Sequence, residues 1–173
     1  QGTKLEMMAI HDMENQRVVQ QVVVMGNVAS KTLVKDGKAT VSSMGKSQSL
    51  TDEQYEDVKM ASLWLVPELY YETMGYSLSL DGAVDLDGES AYKVIVSNPT
   101  GGQVVNFYSI DSGLKLKSEN QLSGDVSYQE YQEFEGVQVP VKMSIKSPML
   151  PVPLETQVNN VELNLSVSDQ DFN

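Results

Sequence analysis

Apolar and polar residues alternate with a period of two along the last half of the chain, in short segments separated by Gly, Asp-Ser-Gly, Ser-Gly-Asp, Glu-Gly and Pro. The segments are Ser90–Ser97, Gln103–Ser109, Leu114–Glu119, Val126–Tyr128, Val137–Ile145 and Val161–Val167. Over Val137–Ile145 the odd positions are Val, Val, Val, Met and Ile, and the even ones Gln, Pro, Lys and Ser. Val161, Leu163, Leu165 and Val167 alternate in the same way. Side chains on a strand point to opposite faces in turn, so this pattern predicts an antiparallel sheet with one apolar face. Between Tyr128 and Tyr131 the apolar parity slips by one residue, the mark of a β-bulge that bends the strand.

The first part of the chain predicts further antiparallel hairpins: Leu5–Ile10, Val18–Met25, Ala29–Lys35 and Lys38–Ser43. Met25-Gly26-Asn27 and Asp36-Gly37 supply the turns. Val18–Met25 is almost continuously apolar apart from Gln20 and Gln21, as for a strand covered on both faces or one lying under helices. The period then changes. Thr51 followed by Gln54 forms a capping box, Leu50 can staple onto Tyr55, and Tyr55, Val58, Ser62, Leu65 and Leu69 fall on one helical stripe. These signals predict a bent or broken helical segment from Thr51 to Met74, with Pro67 ending one helix or opening the next and Gly75 terminating it. Tyr76–Leu80, Asp81-Gly82 and Ala83–Leu86 then predict a short hairpin leading into the C-terminal sheet.

With 173 residues, 40% of them hydrophobic, the chain is long enough to bury roughly 70% of its unfolded surface, and residues 1–173 are read as a single domain. Gln1-Gly2-Thr3 reads as an arbitrary start, so the chain is taken as a fragment or mature part of a longer protein. Twelve basic residues against twenty-four acidic ones give a net charge of -12, which argues against nucleic acid or an anionic surface as an electrostatic partner. Cysteine is absent, so the core has to suffice without disulfides. No run of about 18 apolar residues offers a transmembrane segment.

Reactive chemistry is sparse. His11, the single histidine, lies in the polar stretch His11–Asn15 and reads as an exposed turn residue; with no Cys beside it the usual zinc ligand sets are missing, and no Gly-x-Ser-x-Gly elbow presents a nucleophile. Asp85-Leu-Asp87-Gly88-Glu89 alternates carboxylates ahead of a Gly, but Ala91-Tyr92-Lys93 continues as strand rather than as a calcium loop. No metal, cofactor or catalytic residue is assigned, and a hydrolase would need two buried acids in one cleft. The nine Met, with Trp64 and Phe107, suit either core filling or a pliable apolar cavity. Pro148-Met149-Leu150-Pro151-Val152-Pro153-Leu154 cannot pair as a central strand; it either tucks against the body or forms a contact loop for a partner.

The succession Gly88-Glu-Ser-Ala-Tyr92-Lys-Val, Phe107-Tyr-Ser-Ile-Asp111-Ser-Gly113-Leu114, Tyr128-Gln-Glu-Tyr131 and Phe134-Glu-Gly136-Val-Gln-Val-Pro140 resembles bacterial lipoprotein-sorting carriers of the LolA and LolB type. It is more closely similar to the copies of that domain appended to insulinase-type zinc peptidases. The resemblance covers roughly 37–172 and implies a mostly β (α+β) fold: a strongly curved antiparallel sheet or incomplete β-barrel covered by the mid-chain helical segment. It also implies export to the periplasm or outer membrane and an apolar space that takes lipid or lipoprotein acyl chains. Trp64, Leu65, Leu69, Tyr92, Val94, Leu114, Leu116, Val139, Val141 and Met143 are then the expected cavity lining. The alternative is an accessory domain of a larger periplasmic protein, such as an insulinase-type zinc peptidase, with a filled core and Pro148, Met149, Leu150, Val152 and Leu154 as the partner contact. The carriers begin with a helix, whereas this chain opens in strand-like sequence. No functional arginine is carried over to Arg17, the sole arginine, and no His-x-x-Glu-His motif is present.

Overall fold

The computed structural model describes residues 5–52, 55, 66–99, 101–121, 124–148 and 152–173. These residues are mostly β, in two antiparallel sheets, and backbone contacts divide the chain into two compact units, Gln1–Tyr70 with Ser166–Asn173, and Tyr71–Leu165.

The first unit holds a five-stranded meander in the order β1-β2-β3-β4-β5, with β1 Leu5–Asp12, β2 Arg17–Val24, β3 Asn27–Lys35, β4 Lys38–Ser43 and β5 Lys46–Ser49. Its two-residue connections are all X-Gly pairs: Met25-Gly26, Asp36-Gly37 and Met44-Gly45, with positive φ at both residues of each. That backbone twist matches the right-handed twist of paired strands, and Gly adopts it without a Cβ penalty. The Asp36-Gly37 hairpin forms where the sequence predicts it. His11 is half-buried inside β1, opposite Val18, and not in the turn; pairing extends to Asp12 because the Asp12 carboxylate holds both Asn15 and Arg17.

Val18, Val34 and Ala39 form the core of one face of this sheet, with Leu50 and Tyr55 packed against them. Val18 and Val19 are each 1% exposed, and neighbours on a strand face opposite ways, so here β2 is covered on both sides. The second cover is the C-terminal 3-10 helix Asp169–Phe172, which contacts β2 and buries Phe172.

The second unit holds a seven-stranded sheet in the order β12-β11-β10-β9-β8-β7-β6. Its strands are β6 Ser77–Leu86, β7 Glu89–Ser97, β8 Gln103–Ser109, β9 Lys115–Asn120, β10 Gly124–Phe134, β11 Val137–Lys146 and β12 Leu154–Gln157. The predicted bulge is present: the register shifts on both sides of Glu130, between the pairs Tyr128↔Met143 and Tyr131↔Pro140. Pro140 is tolerated because it opposes Tyr131 beside the register shift, where the ladder is already interrupted.

Three further expectations are corrected. Asp81-Gly82 is not a hairpin turn but a second bulge inside β6, where both residues oppose Lys93 between the pairs Leu80↔Val94 and Ala83↔Tyr92; the Lys93 ammonium bonds Asp81 at 2.7 Å. The hairpin lies further on, at Asp87-Gly88, with the Gly88 amide donating to Asp85 Oδ1 at 3.0 Å, so the Asp85–Glu89 carboxylates serve a turn. Val161–Val167 forms no ladder, and the last strand is instead β12; Asn164 has φ 54, which breaks the extended run.

The third concerns the helical cover. At its start Tyr55 N donates to Thr51 O at 2.8 Å, one α-type turn, and residues 53–54 and 56–65 lie outside the described residues. From Val66 on, the chain forms a 3-10 turn, Pro67–Leu69, entered through a non-helical Val66 with φ -128 and ψ 79, followed by irregular turns to Gly75. A residue before proline is pushed out of the α region, so the helical stripe stops there. Among the described residues neither a covering α-helix nor a closed barrel is found, and one continuous sheet is replaced by two.

Candidate ligand-binding face

Cross-strand partners share a face, so the register gives the second sheet's surface directly. One row crosses all seven strands: Leu80, Val94, Asn106, Ser118, Val126, Ile145 and Leu154. The parallel rows add Leu78, Val96 and Val104 on one side, and Ala83, Tyr92 and Tyr108 on the other. Tyr128 opposes Met143 on the same face, and alternation along β11 brings Val139 and Val141 with it.

The middle of this face is closed. Val96, Asn106 and Val141 are buried, as is Tyr71, whose ring stacks on Tyr76 at 5.5 Å. Burial raises the Tyr76 phenol above its ordinary pKa. Asn106 is 1% exposed and lies in a hydroxyl cluster: its amide nitrogen donates to Tyr108 Oη at 3.2 Å and Tyr71 Oη at 3.4 Å, and its carbonyl accepts from Ser118 Oγ at 2.6 Å. A buried amide without partners would be strongly destabilising; here both ends are bonded. The β6 margin is the open part, with Leu78 58% and Leu80 64% exposed, and Tyr92 of the adjoining β7 is 44% exposed.

Of the expected lining, the register and parity bring Tyr92, Val94, Val139, Val141 and Met143 onto this one face. Val141 is core, 6% exposed. Leu116 sits at the β8–β9 irregularity between Phe107 and Tyr108 pairs, without a registered partner, and Leu114 precedes β9, its carbonyl accepting from Ser109 N. Leu69 belongs to the 3-10 turn of the other unit and is 75% exposed, while Trp64 and Leu65 lie outside the described residues. In the expected contact loop Pro148 is exposed, Val152 is 69% and Leu154 40% exposed, Leu154 is a strand residue, and Met149 and Leu150 lie outside the described residues.

Sequence reasoning missed Asn106, Tyr108 and Ser118. The signal was there: Asn106 occupies the parity of Val104 and Tyr108, a polar residue at an apolar position. It also missed the charged cluster of the first unit. The Asp12 carboxylate accepts from the Asn15 amide nitrogen at 2.9 Å and from Arg17 Nη2 at 2.5 Å. Arg17 Nη1 reaches Asp169 Oδ1 at 2.6 Å, and the guanidinium lies 4.4 Å from the centre of the Phe172 ring. Beside it, Asn15, Arg17, Lys35, Asp36 and Asp169 line an open polar cleft of about 570 Å³. The hydrogen bonds from Asn15, with those of Arg17, hold the Asp12 carboxyl at about 2, well below the usual carboxylate range. A depressed folded-state pKa contributes stability that is present above about 4 and lost as pH falls towards 2. The stability gap between wild type and Asp12→Asn should therefore be full at neutral pH and close between about pH 5 and 2, as measured by urea denaturation; a gap independent of pH would show that Asp12 carries no such linkage.

Among the described residues no group of three or more His, Asp or Glu is placed to hold a metal ion, and no helix is long and apolar enough to cross a membrane. A cleft of about 270 Å³ lies at one end of the second sheet, lined by Asn120, Gln121, Gly124, Asp125, Lys146, Ser147 and Pro148.

The fold is similar to that of solved structures described as a DUF1329 family protein, an outer membrane lipoprotein-sorting protein domain and a LolA superfamily protein. Three solved structures carry the comparison. A DUF1329 family protein from Desulfovibrio piger is 15% identical with a TM-score of 0.63, over 98% of this chain and 81% of that one. A putative outer membrane lipoprotein-sorting protein domain from Vibrio parahaemolyticus is 9% identical with a TM-score of 0.64, over 98% and 80%. The LolA superfamily protein NE2245 from Nitrosomonas europaea is 11% identical with a TM-score of 0.62, over 98% and 87%. By sequence, no protein-family model and no curated protein matches the chain.

Proposed function

We propose that this chain is a single, non-enzymatic domain of an exported protein, at the periplasm or outer membrane, that binds a lipid or the acyl part of an acylated polypeptide on the apolar face of its second sheet. One observation carries the reading: the apolar rows of that face run to the β6 margin and end there uncovered at Leu78 and Leu80, with Tyr92 of β7 exposed beside them. The lipoprotein-sorting fold supports the same class of ligand. Binding would be driven by removing apolar surface from water, at about 25 cal/mol per Å² before ordering costs. The expected lining then narrows to Tyr92, Val94, Val139 and Met143 around the buried Val141.

The test is titration with a fluorescent fatty acyl probe. Saturable binding is expected, and Leu80→Lys or Tyr92→Lys should weaken it roughly tenfold or more, the equivalent of one apolar side chain's burial. Both positions are open enough to accept lysine without unfolding. No saturable binding by the wild-type protein overturns the reading. It would favour the accessory-domain alternative, for which the exposed Val152 is the supporting observation, and the search would turn to a protein partner.

A further inference from the structure

Two hairpin turns of the first sheet carry thioethers where the backbone favours other residues. The first position of a two-residue turn with positive φ at both residues favours Asn, Asp or Gly, and Asp36-Gly37 and Asp87-Gly88 obey. Met25 and Met44 stand at that position instead, each at φ 49. They are 91% and 93% exposed. Nothing lies within 4 Å of the Cβ position of the neighbouring Gly26 or Gly45, so a small solute reaches both turns from open water.

The other described methionines are Met7, Met8, Met13, Met74 and Met143, and each is shielded to some degree. Met7 is 65% exposed, but its Sδ accepts a hydrogen bond from the Gln20 side-chain amide at 2.9 Å, which engages a sulfur lone pair. Met8 is 49% exposed, and Met13 and Met74 are half-buried. Met143 is half-buried within β11, flanked by Tyr128 of β10 and Thr156 of β12. Oxidation of a thioether is a reaction of its sulfur lone pair, so a dissolved oxidant meets these side chains in a graded order.

We propose that Met25 and Met44 are oxidative modification sites, converted to methionine sulfoxide by a hydroperoxide ahead of the other described methionines and without cost to the fold. The sulfur lone pair attacks one oxygen of the peroxide and forms the S–O bond. The O–O bond breaks, its electron pair leaves with the second oxygen, and with hydrogen peroxide that oxygen takes the proton of the first and departs as water. Sulfur is oxidised by two electrons and the peroxide reduced by two. The sulfoxide is polar, and burying such a group without a partner is costly. At these turn tips water solvates it at once, and neither side chain belongs to the buried cluster of Val18, Val34 and Ala39. The same change at Met143 would set a polar oxygen beside Tyr128 on the apolar face of the second sheet. The inference does not rest on that face binding acyl chains: either can fail while the other holds.

Limited treatment with hydrogen peroxide, followed by proteolysis and site-resolved mass spectrometry, tests it. Met25 and Met44 should each gain one oxygen at similar rates, while Met7, Met8, Met13, Met74 and Met143 remain mostly thioether when those two are half converted. The same treatment in concentrated urea should erase the ranking, because unfolding opens every site to the reagent. At the half-converting dose the melting temperature should match that of the untreated protein. The double variant Met25→Leu, Met44→Leu, a volume-conserving change at exposed positions, is the control for oxidation elsewhere. Oxygen appearing first, or equally fast, on any of the other five named methionines overturns the proposal, and so does a ranking that persists in urea. A melting temperature that falls on treatment of the wild type but not of the double variant also overturns it, since the sulfoxides at the turns would then cost stability.

Discussion

Truncating Phe172 to alanine is expected to lower the stability of the protein by about 3–5 kcal/mol, the range for a fully buried aromatic side chain. Phe172 is 1% exposed although it is the penultimate residue of the sequence. Three features hold it on β2. A capping box organises the short helix, with Asp171 Oδ2 accepting from Ser168 N at 2.7 Å and from Ser168 Oγ at 2.9 Å, bonds that lower the Asp171 pKa. Arg17 stacks on the ring and pairs with Asp169. Lys31 Nζ donates to the Asn173 carbonyl oxygen. Urea denaturation should show the loss for Phe172→Ala, and Phe172→Leu should recover most of it by keeping the site filled. A loss of under about 1 kcal/mol, the size of an ordinary surface change, would mean that the segment is not part of the core of the first sheet.

That clasp could not be read from the sequence, because Arg17 and Asp169 are 152 positions apart and no local pattern links them. Alternation was legible, since it depends only on the two-residue period. Hence β11 and the bulge at Tyr128–Tyr131 were predictable from parity alone. What parity cannot supply is the neighbour across the ladder, so the Asn106 cluster stayed hidden although its polar residue stood at an apolar position. Local signals misled where tertiary pairing overrode them. Asp81-Gly82 has turn chemistry, yet the pairs Leu80↔Val94 and Ala83↔Tyr92 continue past it and make it a bulge. Val161–Val167 has strand chemistry, yet Asn164 at positive φ interrupts it and β12 takes the place beside β11. Beyond Val66 the helical stripe met Pro67, and proline geometry prevailed.

Gly124→Ala should be comparably destabilising, by about 3 kcal/mol or more, with strain at a positive φ and a steric clash both contributing. Gly124 has φ 102, and a Cβ there would stand 2.1 Å from the Lys146 carbonyl oxygen and 2.7 Å from Ser147 Cα. Both neighbours are backbone, so the clash is relieved only by moving β10 away from the end of β11. Gly113 separates the two contributions: it too has positive φ, 74, but nothing lies within 4 Å of its Cβ position, so Gly113→Ala should cost only about 1 kcal/mol. If the two variants unfold at the same urea concentration, the close approach is not a constraint and only φ matters. If they differ as expected, the displaced strand end should also speed proteolysis at Ser147–Pro148, because Gly124 shares its cleft with both. Ser147 and Pro148 are on this argument seated by a missing side chain on β10, and their position depends on that glycine.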